Sequence, residues 1–537
     1  MKNRLTMRQR HSYPFKTMDE LLLRGGTIHT VDPVLPSAEA VLIRGERITF
    51  VGTQAEARRQ ASAAVRQIDL RGRTLIPGFN DNHIHLVAMG DNLARPNLRG
   101  MDEGQIVDFL KEVFRDAKAG ETLYAWGWDY PSCPRPHRRI LDEAFPDNPV
   151  VLIQFSGHGS WVNSRVLEKF RIGSRTPDPA GGEILRDERG IPTGILRDTA
   201  ALPIHRARFL KMHRNRTLQR DMLDRALAEL RKVGITSIQD NTWFPSTIDL
   251  LNRYRREGSL TVRVSCWFYG MMPAFAALMH LKRFDDLWVR RGLWKYILDG
   301  TFSTRTAWLL EPYVGESGNY GIATGVADSI ERYLGLSIRK RRQAAFHAIG
   351  DRTIRELINA VERHTRRQEE IADLRLRIEH AQLIDPEDIP RLRRLGILVS
   401  AQPSALGTPE KDADLLGQER AARAYPYRSL LDEGVQLSFG SDMPGEASFD
   451  PLLGIHYTVN RSGAERIGAA EALRAYTLGS AYAEFQESQK GSITAGKLAD
   501  LAILSGDPLS VKPETIKDIE VQMTILGGRI VYQKDNS

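Results

Sequence analysis

Short apolar runs broken by glycine open the chain. Leu21–Ile28, Ala40–Ile43 and Ile48–Gly52 read as strands, with Gly45 and Gly52 as turn formers. The C-terminal end repeats the pattern: Leu501–Leu504, Val521–Leu526, a Gly527-Gly528 turn, then Arg529–Tyr532. Neither end offers enough strands to bury a core alone, so the two are expected to pair. The expected unit is a small β-sandwich domain of residues 18–78 plus 487–537. Between them, residues 79–486 alternate apolar runs with helical stretches. Strand candidates are Val150–Phe155, Ile235–Ile238, Lys295–Leu298, Ala344–Phe346, Leu376–Ile378, Ile397–Ser400 and Leu437–Gly440, with helices such as Leu218–Val233 and Thr353–His364 between them. Strand–helix alternation predicts an α/β fold with a parallel sheet, and about eight such units predict a closed (β/α)8 TIM-like barrel. Residues of about 100–230 exceed what strand–helix units need and read as an insertion over one barrel mouth. Trp126, Trp128, Tyr130 and Trp161 lie in it, where core packing and substrate contact are equal readings.

Composition narrows the class. With 537 residues, 42% hydrophobic and 26% charged, the chain suits a globular enzyme of one large domain and a satellite. No apolar run approaches the roughly 20 residues that cross a bilayer. The two cysteines, Cys133 and Cys266, cannot build a disulfide framework, which fits a reducing, cytoplasmic setting. Cys266, inside the strand-like Val262–Trp267, reads as a core residue. The net charge of +8 suggests nucleic acid until its distribution is examined. Lys2, Arg4, Arg8, Arg10 and Lys16 concentrate five positive charges in residues 1–17, which read as a disordered basic leader. The remainder is nearly balanced, so neither nucleic acid nor membrane is an expected partner. Translation could also start at Met7 or Met18.

The candidate chemistry begins at Asp81-Asn82-His83-Ile84-His85, directly after the apolar run Thr74–Phe79. His83 and His85 are spaced i, i+2 and point to one side of an extended chain. Two imidazoles so placed can grip a borderline metal such as zinc. Alone, the pair would read as an ordinary loop. Three further groups end strand candidates in the same way: His347 after Ala344–Phe346, His380 after Arg377–Glu379, and Asp442 after Leu437–Ser441. In a barrel, the C-terminal strand ends are where catalytic groups collect. A serine-hydrolase elbow, a dinucleotide fingerprint and a phosphate-binding loop are all missing from the sequence.

These stretches carry a family resemblance. Pro77-Gly78-Phe79 with His83-Ile84-His85, Phe346–Asp351, Arg377–Gln382 and Ser438–Asp442 resemble the metal-dependent amidohydrolase superfamily. Ser156–Ser164, Gly181–Asp187, Asp299–Ala307 and Gly491–Leu501 are similar to its amidohydrolase-3 branch, the YtcJ-like and N-substituted formamide deformylase-like proteins. The likeness spans about residues 20–533. It implies that Lys295, four residues before Asp299-Gly300, is carboxylated on its side chain and bridges two metals. His83, His85 and Asp442 would hold one metal, and His347 and His380 the other. Zinc is expected, with iron, manganese or cobalt as substitutes. Asp442 would also serve as the general acid and base, and His158 and Arg305 would grip substrate. Gln239 stands where many relatives carry histidine, which bears on substrate choice.

The resulting expectation is hydrolysis of a carbon–nitrogen bond in a non-peptide amide, N-formyl or N-acyl compound by a metal-activated hydroxide. Deamination, lactone opening, decarboxylation or isomerisation at the same metals stay open, as does a non-catalytic scaffold. Metal content discriminates the scaffold, and a substrate panel discriminates the reactions. The partner is a small molecule, and a homo-oligomer is compatible with the type.

Overall fold

The computed structural model describes residues 20–535 except 131, 243–244, 271–285, 323–326, 366–370 and 408. The basic leader expected over residues 1–17 lies outside them. Eight parallel strands form the barrel: Phe79–Ile84 (β1), Ile235–Asn241 (β2), Arg263–Tyr269 (β3), Val289–Ile297 (β4), Ala344–Ala348 (β5), Arg377–His380 (β6), Leu398–Ala401 (β7) and Leu437–Phe439 (β8). Neighbours pair in that order from β1 to β8. The seam between β8 and β1 is closed by side chains and by backbone just beyond the strands, where His85 N donates to the Met443 carbonyl at 3.0 Å. Asn82 Nδ2 donates to Ser438 Oγ at 2.5 Å, and Ser441 N donates to Asp81 Oδ1 at 2.9 Å. The backbone of Asp442 adds one bond to the His83 carbonyl, 2.6 Å.

The first barrel strand departs from expectation. Thr74–Pro77 belongs to a different sheet, and the barrel strand is Phe79–Ile84, with His83 inside it. Asn80, Asp81 and Asn82 have poor strand propensity. They form a buried strand because their side chains find partners on other elements, including Asn80 Nδ2 on Glu484 Oε1 at 2.9 Å.

The chain ends combine into one eight-stranded sheet, where Leu501–Leu504 pairs antiparallel with Thr74–Pro77. Leu23, Val41, Ile43, Leu75, Leu501 and Ile525 fill its apolar core. Arg263 of β3 ties this β-sandwich domain to the barrel. Its guanidinium forks onto Asp500 at 2.6 and 3.0 Å, with both side chains buried.

A third sheet stands between β1 and β2: Leu123–Trp128, Val150–Gln154, Gly159–Val162, Pro192–Asp198 and Gly182–Arg186. The run Val150–Phe155, expected in the barrel, therefore lies in the insertion. A fully buried strand has the same apolar pattern in either sheet, so periodicity could not separate them. Trp128 and Trp161 are core residues of this unit, whereas Trp126 and Tyr130 line the cavity at the barrel mouth. The helix Arg216–Lys232 returns to the barrel and packs on the helix Leu86–Asn92. A Cβ at Gly90 would stand 1.9 Å from the Met222 carbonyl, so only glycine permits that approach. No helix among the described residues is long and apolar enough to cross a membrane.

Candidate metal centre

The barrel delivers every candidate ligand at the C-terminal end of a strand. His83 lies in β1 and His85 just beyond it, Lys295 near the end of β4, His347 in β5, His380 at the end of β6, and Asp442 just past β8. All six line one cavity of about 2130 Å³ between the barrel mouth and the inserted sheet. His380 (φ 74°) and Asp442 (φ 51°) hold left-handed backbone conformations. Such conformations cost on the order of 1–3 kcal/mol each and persist where packing imposes them.

Distances define the centre. The donor atoms of His83, His380 and Asp442 lie within 4.8 Å of one another. Asp442 Oδ1 is 3.3 Å from His83 Nε2 and 3.1 Å from His85 Nε2. Lys295 Nζ reaches to 3.5 Å from His83 Nε2. The His347 and His380 rings meet edge to face at 4.3 Å, but His347 Nε2 turns to the Gly300 carbonyl, 3.0 Å away. His347 thus stands outside the close trio. Burial, aided by the Lys295 ammonium, depresses the pKa of His83 and His347; burial and then His347 depress that of His380. Neutral imidazole is the ligand form. Burial would raise the Asp442 pKa, but His83, His85 and His380 outweigh it and hold the carboxyl well below its usual range. Burial lowers Lys295 to about 8. Neutral nitrogens and an ionised carboxylate converging on one point suit a divalent cation.

The two expected substrate groups sit differently. His158, on the inserted sheet's Ser156–Gly159 turn, lines the same cavity with its ring tilted against His347, centroids 5.5 Å apart. Its Nδ1 lies 2.7 Å from Asp198 Oδ1. Burial works against protonating His158, yet the Asp198 carboxylate outweighs it and raises the pKa. Arg305 lines the same cavity and is ion-paired with Glu316. Gln239 does not line the cavity. Its amide is spent on the Ser480 carbonyl, 2.9 Å, and on Arg377, 2.5 Å, which separates it from substrate choice.

Three supporting carboxylates escaped the sequence reading: Asp198, Glu379 and Asp299. Glu379 lies 2.7 Å from His83 Nδ1. Asp299 accepts from Ile349 N, Gly350 N and Thr353 Oγ at 3.0, 2.9 and 2.9 Å, fixing the loop after His347. Glu379 and Asp299 stand inside the motif stretches, next to His380 and before Gly300, and that adjacency was their one signal.

A parallel barrel that gathers imidazoles, a lysine and a carboxylate at its strand ends defines a metal-dependent hydrolase. The model of the Amidohydrolase family matches residues 66–532, and the chain belongs to that family, in its amidohydrolase-3 branch. The protein YtcJ of Bacillus subtilis is 29% identical, over 95% of this chain and 99% of that one. N-substituted formamide deformylase of Arthrobacter pascens is 30% identical, over 97% and 99% respectively. An uncharacterized metal-dependent hydrolase from Pyrococcus furiosus superposes with a TM-score of 0.71 and 28% identity, over 91% of this chain and 100% of that one. The family makes the protein a hydrolase that depends on a divalent metal and takes a small-molecule substrate.

Proposed function

We propose that this centre hydrolyses the carbon–nitrogen bond of a non-peptide amide, an N-formyl or N-acyl compound. The observation that carries the reading is the convergence of His83, His380 and Asp442 within 4.8 Å at the barrel mouth. In this reading His83, His85 and Asp442 would hold one cation, zinc first, and His347 and His380 a second. The Lys295 side chain, as a carbamate, would add anionic oxygens to the donor set. A divalent metal bound there supplies Lewis acidity, which polarises a carbonyl and acidifies water.

The chain's own groups do the rest. Asp442, ionised and held by His85 at 3.1 Å, takes the proton of the attacking water and passes it to the leaving nitrogen. His158, steadied by Asp198, touches the substrate from the roof, and Arg305 flanks it. Trp126, Ile153, Phe155 and Phe209 give the cavity an apolar wall that suits an apolar or aromatic substituent and excludes water from the reacting bond.

A panel of N-formyl, N-acyl and cyclic amides, assayed with metal content measured in parallel, tests this. Asp442→Asn is expected to lower kcat by about 10²–10⁴-fold. Near-full turnover by Asp442→Ala with metal still bound would exclude the proposed proton transfer. With lactones and amino-substituted rings added to the panel, turnover confined to those two classes would exclude the bond assignment.

A further inference from the structure

Below the candidate ligands lies a buried polar layer that no proposed step uses. Arg377 and Glu379 flank Ile378 on β6, so both side chains project into the barrel. Both are fully buried. Arg377 binds four strands at once. Its Nη1 donates to Gln239 Oε1 of β2 at 2.5 Å, and its Nη2 to the Asn82 carbonyl of β1 at 3.0 Å and Ser400 Oγ of β7 at 2.9 Å. Its Nε stands 2.9 Å from Glu379 Oε1 on β6. Trp267 of β3 packs its ring 4.7 Å from the guanidinium and 5.2 Å from the His83 ring.

The other carboxylate oxygen points at the ligand. Glu379 Oε2 accepts from Ser400 Oγ at 2.6 Å and lies 2.7 Å from His83 Nδ1. An ionised carboxylate has no proton to give, so the proton of this contact resides on Nδ1. The Nε2 lone pair is then left facing Asp442 and Lys295. Stability alone is a weak reason for such a pair, because apolar replacement of both partners of a buried ion pair is often neutral or stabilising.

We propose that the Arg377–Glu379 pair is a positioning device for the metal centre: Glu379 fixes the His83 tautomer and ring angle, and Arg377 anchors Glu379 to the barrel wall. The proposal rests on the reading of His83 as a metal ligand. Neither residue touches substrate. Their effect passes through His83, so ligand geometry is set before a cation arrives.

The test uses the full-length, zinc-loaded protein, with zinc affinity measured by competition against a chelator of known strength. Glu379→Gln is expected to weaken zinc by about 10–100-fold, and Glu379→Asp to restore part of the loss. The double variant Arg377→Met/Glu379→Leu removes both charges together, so that no unpaired ion is buried. It is expected to unfold cooperatively, at a lower midpoint because Gln239, the Asn82 carbonyl and Ser400 lose a donor, and still to lose zinc affinity by a similar factor. Nitrogen-15 imidazole spectra of the wild type give a readout that needs no variant: a slowly exchanging, low-field proton on His83 Nδ1. A His83 ring protonated on Nε2 overturns the proposal even if every variant fails to fold. His83→Ala separates the two readings. If it leaves zinc affinity unchanged, the ligand assignment itself falls. If it weakens zinc while both Glu379 variants hold it within about two-fold, well short of the loss expected for an orienting partner, only the positioning role falls.

Discussion

Lys295 ends in a crowded place for an ammonium, fully buried and 3.5 Å from His83 Nε2. Desolvation brings its pKa to about 8, although Glu379 and Asp442 pull the other way. The neutral amine is the form that adds carbon dioxide, forming an N–C bond and losing a proton. Protein grown with ¹³C-bicarbonate should therefore show a carbamate resonance that Lys295→Met removes, together with a drop in bound metal per chain. A metal-loaded sample without that resonance would rule the carbamate out. The contrast with Glu379 shows what single residues disclose. His347, His380 and Asp442 were visible because each closes a strand candidate. Glu379 acts on a ring 296 positions away, and Asp198 on one 40 positions away. Such partnerships come from tertiary closure and leave no local pattern.

At the scale of elements, the seam between β8 and β1 is the least regular part of the barrel. A Cβ at Gly440 would stand 2.4 Å from Asn82 Oδ1 and 2.5 Å from His83 N. Gly440→Ala is expected to destabilise by about 1–3 kcal/mol, read as a lower urea midpoint, and to cost metal affinity because His83 must shift. An unchanged midpoint would show that the seam yields freely. The first barrel strand was placed too early, at Thr74–Phe79, for the reason that makes β1 useful: its polar side chains serve the seam, and propensity cannot see their partners. The helix Leu202–Arg214 carries a second prediction. His205 Nε2 lies 2.8 Å from Ser160 Oγ, and burial, then the nearby His158, depresses its pKa to about 4. A base whose folded pKa lies below its unfolded value opposes folding once protonated. The helix should thus lose protection from hydrogen exchange as pH falls from about 6.5 toward about 4. His205→Gln should flatten that dependence; equal profiles for the two proteins would contradict it.

At the scale of the molecule, the eightfold alternation made the barrel legible, and the matching strand styles of the two ends made their pairing legible. The sheet to which Val150–Gln154 belongs was hidden, because that run is as apolar as any barrel strand. The Arg263–Asp500 fork is a buried polar tie between barrel and satellite. Asp500→Ala strands a buried guanidinium and should cost about 3–5 kcal/mol in chemical denaturation, while Arg263→Met/Asp500→Leu should recover most of it. Equal stability of the single variant and the wild type would show that water reaches the fork. The pairing of Thr74–Pro77 with Leu501–Leu504 also sets a timetable for synthesis. Strands made first on the ribosome must wait, open-edged, until more than four hundred later residues have emerged. A truncation that stops short of Leu501 would leave that edge permanently bare, a template for sticking to other nascent chains.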